Sequence, residues 1–273
     1  MPSSRRLERE AAKRRRHRRG QAIAALSSLV VLGGLAALIL TSPGWPEVRE
    51  TFFNWEVFKD SFPDVLKAFW LDVKIFIVAE LAILVVGLII ALVRIARSPA
   101  VFPLRLLSVL YVDVFRGVPV LIMLYLVGFG LPSLRLAGTP QSPFVLCIIA
   151  LTITYSAYVA EVYRAGVNSV HRGQRDAALA VGLTESQAMR HVILPQAIRR
   201  VAPPLLNDFV ALQKDVALIS ILGPLEAFRE AQIFEAETFN FTPLVAAALL
   251  YLAVTIPTAR IVDRMGGPEG AVR

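Results

Sequence analysis

Six long apolar runs, separated by polar segments, dominate the hydrophobic pattern of this 273-residue chain. Each run approaches or exceeds the length of about 20 residues that an α-helix needs to cross a lipid bilayer. The pattern therefore predicts an all-α integral membrane protein with six spans. The apolar runs are 21–40, 65–92, 104–131, 144–167, 205–222 and 244–262.

A polar and basic segment of about thirty residues, 171–200, interrupts the pattern between the fourth and fifth runs. A helical pattern opening at Asp176 is expected to close at Gly182, because glycine readily takes the left-handed conformation of a helix C-cap. Thr184, with a glutamine three residues later, predicts a capping box and a second helix that ends near Pro195. Helices this short need a docking surface to be stable. The apolar surface that they offer consists of Ala177, Ala178, Val181, Ala188 and Val192.

Basic residues lie on one side of the predicted topology. The chain has 29 Lys and Arg against 21 Asp and Glu, a formal charge of +8. The excess falls in both tails, the 94–105 turn and the 171–200 segment, which six spans place on the same side. This positive-inside pattern predicts cytoplasmic termini and explains the charge without nucleic acid. We interpret 21–40 as an uncleaved anchor, because it exceeds the usual length of a signal-peptide apolar region.

The sequence contains no motif for enzymatic chemistry. No lysine completes the Gly-Lys-Ser/Thr end of a P-loop, so we expect no ATP hydrolysis by this chain itself. There is no zinc-protease pattern and no Gly-x-Ser-x-Gly elbow. The single cysteine, Cys147, lies within an apolar run, which excludes a disulfide framework and a cysteine zinc site. We expect no catalytic residue, no metal site and no cofactor in this chain.

Part of the polar segment resembles the EAA loop of binding-protein-dependent ABC importer permeases. In that family the loop sits in a groove of the ATPase subunit and couples it to the membrane helices. Most members have Glu where this chain has Asp176, so the charge is kept with a side chain one methylene shorter. The coupling residues that the resemblance implies are Asp176, Ala177, Ala178, Gly182, Leu194 and Pro195.

The resemblance extends to the permeases of polar amino-acid uptake systems and covers about residues 60–265. It implies the five-helix core of a type I ABC importer subunit, with one extra N-terminal helix. The motifs that carry it are Phe115–Pro119, Ser156–Glu161 with Arg164 and Gly166, Gly173-Gln174, Pro203–Leu205 and Lys214-Asp215. The predicted organisation is a basic cytoplasmic tail (1–20), the additional helix (21–41), an extracytoplasmic loop (42–64), the permease core (65–264) with its coupling loop (171–200), and a cytoplasmic tail (265–273).

The resemblance also implies partners. The chain would be a multi-pass subunit of the bacterial plasma (inner) membrane that works by alternating access. It would act with a dimer of ABC ATPase subunits, which bind ATP and Mg²⁺, and with an extracellular or periplasmic solute-binding protein. The second permease would be an identical copy or a sister chain. The substrate would be a polar amino acid whose identity the pattern leaves open, and anionic membrane lipid is a further hypothesis for the basic tail.

Ionisable residues at membrane depth are costly and mark candidate contacts with a polar substrate. The candidates for the substrate path are Thr152, Tyr155, Ser156, Glu161, Lys214 and Asp215, with Thr154 nearby. In the competing interpretation, which we weigh slightly higher, Lys214 pairs with Glu161 or Asp215 across the bundle. Glu80 is expected to make a packing contact, and Arg116 with Gly117 and Pro119 a helix bend near the pore.

Two other classes of function remain as alternatives. An ion-gradient-driven secondary amino-acid transporter would usually show internal inverted repeats, which we do not find in this sequence. A membrane receptor or scaffold could use an EAA-like loop to dock a partner without transport. The polar residues at mid-membrane argue against that interpretation.

Overall fold

A computed structural model describes residues 4–96 and 98–266, and every regular element in these residues is a helix. The chain divides into two compact units, Met1–Asn54 and Trp55–Arg273. The basic side chains up to residue 19 and most of the predicted C-terminal tail, residues 267–273, lie outside the described part of the chain.

The first unit contains α1 (Ser4–Leu40) and α2 (Trp45–Phe52). Within α1, Ile23–Leu40 is long and apolar enough to span a membrane, and none of its side chains is buried in the protein. Such a surface suits contact with lipid or with another membrane subunit. Residues 42–64, which we expected to form a loop, are largely helical, because α2 and the first turns of the next helix lie there.

The second unit is built around two packed helices, α3 (Trp55–Ile95) and α7 (Pro143–Asn168). Buried residues recur every fourth position along α3, which places one continuous stripe against its neighbours. Gly87 lies in that stripe, where an added Cβ would come within 2.7 Å of Val159 Cγ1. The absent side chain therefore lets α3 and α7 approach closely. The stripe consists of Ile75, Ala79, Ile83, Gly87 and Ala91.

The third apolar run is broken. Its helices α4 (Phe102–Gly117) and α5 (Val120–Tyr125) meet at an angle of 106°. Val118 is extended with ψ 128°, as expected for a residue before proline, and Pro119 has no N–H to continue the helix. The predicted bend at this position is confirmed, and the third apolar run is a bent pair of helices instead of one straight helix. A π-helical turn (Leu126–Gly130) and α6 (Leu131–Ser133) follow.

The polar segment forms α8 (Arg172–Ala180), α9 (Glu185–Ala188) and a π-helical turn (Met189–Ile193). It leads directly into α10 (Leu194–Asp215), which is followed by a 3₁₀ segment (Val216–Leu222). The fifth apolar run therefore starts inside a longer helix and ends in a different one. Two more helices complete the unit, α11 (Ala227–Thr238), between the fifth and sixth apolar runs, and α12 (Thr242–Gly266).

Four helices in the described residues are long and apolar enough to cross a membrane, and the number is five if the bent pair forms one span. They make the chain an integral membrane protein. The fifth predicted run, 205–222, is not among these helices, because it ends in a 3₁₀ segment and α10 contains several polar residues. The count of six spans stays a prediction.

Candidate functional site

Local sequence signals define both ends of α8. Its N-cap is His171, whose Nδ1 accepts a hydrogen bond from Gly173 N at 3.1 Å, so the helix begins four residues before the expected Asp176. Its C-terminus is a Schellman motif, with Leu183 N donating to Ala178 O and Gly182 N donating to the carbonyl of Leu179. Gly182 takes φ +91°, which confirms the predicted left-handed helix end at this glycine.

The second helix begins as predicted and ends elsewhere. Thr184 and Gln187 form both hydrogen bonds of a capping box, which confirms the start of α9. The expected end near Pro195 is wrong, because α9 continues through the π-helical turn into α10. A π-turn already interrupts the regular α-helical pairing, and Pro195 has no N–H to pair. The proline is therefore accommodated in the first turn of α10 instead of ending the helix.

The segment α8–α9 is fastened to the membrane helices. Arg175 donates to Glu185, with Nε 2.9 Å from Oε2, and this ion pair braces α8 against α9. Arg200 of α10 donates to the carbonyl of Ser169 at the end of α7. A small buried cluster of Val170, Ile193 and Ala197, with Val167 packed against it, also joins the segment to α7 and α10. A force on this segment is therefore passed to α7 and α10.

The predicted apolar surface of the segment is divided between two sides. Ala178 and Ala188 are buried within the chain, and Val192 is partly buried. Val181 is 79% exposed. The exposed face, which we call the outer face, therefore remains available to a partner. It comprises Asp176, Ala177, Val181, Gly182, Leu194 and Pro195.

A second group of polar residues lies between α4, α7 and α10, with Tyr155 buried, Arg116 exposed and the other members partly buried. Tyr155 OH donates to Asp215 Oδ2 at 2.7 Å, and Tyr158 OH donates to the carbonyl of Arg116 at 3.0 Å. The Arg116 guanidinium lies 5.4 Å from the centre of the Tyr158 ring, a cation–π distance. Asp208 interacts electrostatically with Arg116, and its Oδ2 is buried without a hydrogen-bond partner. We call these five residues the bundle cluster.

The structure separates the residues predicted for the substrate path. It brings together Tyr155 and Asp215, with Lys214 exposed beside them at the end of α10. Ser156 is buried elsewhere, where it shares a hydrogen bond of 2.8 Å with Tyr111 OH. Thr152 Oγ1 is buried without a partner, whereas Thr154 Oγ1 donates to Ala150 O within α7.

Among the described residues Lys214 forms no ion pair with Glu161 or Asp215, and Glu161 pairs with two arginines, so the pairing interpretation is wrong. Arg94 Nη1 donates to Glu161 Oε2 at 2.7 Å, and Arg164 Nε donates to the same oxygen at 3.1 Å. The Arg94 side chain is only 11% exposed. Two guanidinium groups therefore neutralise this carboxylate and tie α3 to α7, near the ends of both helices.

Sequence reasoning missed two sets of functional candidates. Asp208 lies seven residues before Asp215 and so on the same face of α10, a spacing that could have identified it. The second set is a buried carboxyl pair. Glu226 caps α11 by accepting from Phe228 N and Arg229 N, both at 2.7 Å, and Asp72 Oδ2 accepts from Ala227 N at 3.1 Å.

Burial, together with the neighbouring Asp72 carboxylate, raises the pKa of Glu226 to about 8. Glu226 is therefore largely protonated at neutral pH. Across the described ranges, no group of three or more His, Cys, Asp or Glu side chains could hold a metal ion.

Together, the membrane spans, the fastened outer face and the polar cluster inside the bundle define a membrane transport subunit. Residues 83–266 match the family of binding-protein-dependent transport system inner membrane components. The chain belongs to this family and is a permease subunit, the transport component of such a system. The ATPase activity resides in a separate subunit. Family membership implies an ATPase and a solute-binding protein as partners.

Curated relatives include the probable amino-acid permease protein YxeN of Bacillus subtilis, 37% identical over 74% of this chain and 90% of that protein. The arginine transport system permease protein ArtQ of the same species is 32% identical over 71% and 87%. A solved amino acid ABC transporter with histidines is 32% identical, with a TM-score of 0.67 over 74% of this chain and 92% of that one. These comparisons establish the type I importer permease fold.

Proposed function

We propose that this chain forms the translocation path of an ATP-driven uptake system for polar amino acids. The observation that carries the proposal is the continuity between the outer face and the bundle cluster. The π-turn runs into α10, and α10 carries Asp208 and Asp215. At 1.5 Å per residue, its 22 residues span about 33 Å, comparable to the thickness of a bilayer core.

This continuity supplies a mechanism for coupling. In the proposal, each ATPase subunit holds one outer face, and closure of the ATPase dimer displaces α8 and α9. Because α10 is continuous with that segment, the displacement reaches the two aspartates inside the bundle. ATP and Mg²⁺ belong to the ATPase, and this chain contributes alternating access through helix movement.

The bundle cluster offers complementary groups for a zwitterionic amino acid. The carboxylates of Asp208 and Asp215 would attract the substrate ammonium, and Tyr155 holds Asp215 in place. The Arg116 guanidinium, or the exposed Lys214 ammonium, would receive the substrate carboxylate. The two relatives above are named for amino-acid and arginine transport, which agrees with a polar substrate.

The complete system would contain two permease chains, identical or sister, with a solute-binding protein on the outside. Both termini and the outer face would lie in the cytoplasm. Lys214 is exposed, and most of the apolar side chains in the spans of α3 and α12 are also exposed. Both features are consistent with a second permease chain packed against this one. Two copies would place two bundle clusters around one path.

The test compares Gly182→Pro with Gly182→Asn. Proline cannot take φ +91° and should disrupt the Schellman motif, whereas asparagine tolerates the left-handed region and meets nothing within 4 Å. We expect Gly182→Pro to insert into the membrane but lose the copurifying ATPase and ATP-dependent amino-acid uptake, and Gly182→Asn to retain both. Normal uptake by the proline variant, or uptake that follows an ion gradient without ATP, would overturn the proposal.

A further inference from the structure

A cavity of about 1040 Å³ lies between the ends of α3 and α7 and the segment α8–α9. Its lining is rich in groups that bind oxyanions, and none of these groups belongs to the outer face or the bundle cluster. The cavity shares only Asp176 with the outer face. The groups that matter for the argument are Arg94, Arg164, Asn168, His171, Arg172 and Arg175.

The charges of this cavity do not balance. Arg94 and Arg164 share the single carboxylate of Glu161, and Arg175 pairs with Glu185. Arg172 forms no ion pair with any described residue, while Asp176 also lines the cavity. Four guanidinium groups thus face three carboxylates, which leaves one positive charge. The cavity can accept one anionic group without creating an excess of negative charge.

Two further features favour an oxyanion in this position. Helix α8 begins at Arg172, so the positive end of its dipole opens into the cavity. Guanidinium groups also match the geometry of phosphate with paired hydrogen bonds. Because these groups come from α3, α7 and α8, a bound phosphate would connect α3 and α7 to the segment α8–α9.

The location of the cavity identifies the source of the phosphate. The spans α3 and α7 end at Ile95 and Asn168, and both residues line the cavity, so it lies at the boundary between membrane and water. Its apolar lining includes Val167, Met189 and Ile193. A basic pocket beside apolar surface at this depth is typical of sites for phospholipid head groups.

We propose that this cavity binds the phosphate of one anionic phospholipid head group. A phosphodiester carries a single negative charge, which matches the one unbalanced guanidinium group. The bound lipid would fasten α8 to the ends of α3 and α7, and membrane composition would then influence the segment that we assign to coupling. The binding itself requires the ends of α3 and α7 and the start of α8, and it is independent of the transported solute.

The experiment measures retained lipid by native mass spectrometry. The full-length chain, with the subunits that copurify, is extracted from nanodiscs containing equal amounts of phosphatidylglycerol and phosphatidylcholine, in phosphate-free buffer. The wild type should retain phosphatidylglycerol preferentially. Arg172→Gln should reduce that retention about tenfold, the effect of losing one charge-assisted hydrogen bond. Arg172→Lys, which keeps the charge without the paired donors, should fall between them.

The matched control is Arg199→Gln, which removes the same charge from an exposed position outside the cavity. It should retain lipid like the wild type. Equal retention in Arg172→Gln and Arg199→Gln would overturn the proposal. So would a wild type with no preference for phosphatidylglycerol over phosphatidylcholine, a result that does not depend on any variant folding.

A second arm separates lipid from soluble phosphate. Inorganic phosphate is titrated calorimetrically into the wild type and Arg172→Gln in nanodiscs of phosphatidylcholine alone. Heat of binding that depends on Arg172, without retained phosphatidylglycerol in the first arm, would overturn the lipid assignment in favour of a soluble phosphate ligand. Absence of such heat, with lipid retained, supports the head group.

Discussion

Near one end of α3, Arg94 donates to Glu161 of α7, while farther toward the other end Asp72 of the same helix accepts from the N-terminus of α11 beside Glu226. Both contacts tie α3 to a neighbour through a carboxyl group, which is partly buried in the first contact and fully buried in the second. In the first, two guanidinium groups neutralise one carboxylate. In the second, no cation among the described residues pairs with either carboxyl group, and both are at least 97% buried.

The second contact is satisfied by hydrogen bonds instead of charge. Backbone N–H groups of Ala227, Phe228 and Arg229 donate to the two carboxyl groups, and Tyr251 OH lies 3.3 Å from Glu226 Oε2. Because burial raises the pKa of Glu226 to about 8, protonation removes one of the two charges. The comparison shows that one helix can be anchored by an ion pair or by a protonated acid, and only the second anchor depends on pH near neutrality.

The largest effect is expected when the ion-paired contact is broken. Arg94→Gln should lower the free energy of unfolding by about 2–3 kcal/mol, because it removes the less exposed of the two partners of Glu161 and the link between α3 and α7. Thermal unfolding of the detergent-solubilised chain measures the loss. Arg164→Gln is the matched control and should cost less than about 1 kcal/mol, because its contact lies within α7 and is more exposed. Equal losses would contradict this assignment.

The next effect concerns the pH dependence of stability. The pKa of Glu226 rises from its ordinary value near 4.5 to about 8 on folding, so the native state holds an extra proton between these values. Stability contributed by this group is complete below pH 4.5 and is lost as the pH rises to about 8. The melting temperature should therefore fall across this window. Glu226→Gln, which stays neutral, should flatten the slope, and Arg94→Gln should leave it in place. A slope unchanged by Glu226→Gln would exclude Glu226 as its source.

A smaller change should follow from Asp72→Asn. Asparagine keeps a carbonyl oxygen that can accept from Ala227 N but removes the negative charge beside Glu226. The pKa of Glu226 should then fall, and the pH at which stability levels off should move lower, with little change in stability under acidic conditions. Melting curves over a pH series measure the shift. If the slope ended at the same pH as in the wild type, charge repulsion between the two groups would not contribute.

The smallest effect is expected at the exposed ion pair between α8 and α9. Arg175→Gln should change the melting temperature least of these variants, because solvent and salt screen an exposed pair. Added salt should weaken the Arg175–Glu185 pair more than the Arg94–Glu161 contact. A melting temperature as low as that of Arg94→Gln would show that this brace contributes more to stability than an exposed pair normally does.

Much of the polar segment could be predicted because its signals are local. The conformation of Gly182 and the capping box of Thr184 and Gln187 depend on residues within one or two turns. The helix break at Pro119 follows in the same way from the chemistry of proline. Pro195 was predicted wrongly, since the π-turn before it is set by packing against α7 and α8 and has no short-range signal.

The sequence by itself determined the family, the membrane spans that the helices confirm, and the residues that end or cap each helix, because hydrophobic run length and capping chemistry act over a few residues. Only the tertiary structure decided which charges meet. Glu161 and Arg94 are 67 positions apart, and Asp72 and Ala227 are 155 apart. Such pairings depend on how helices pack and on the cost of burying each charge, and neither is encoded within a single helix.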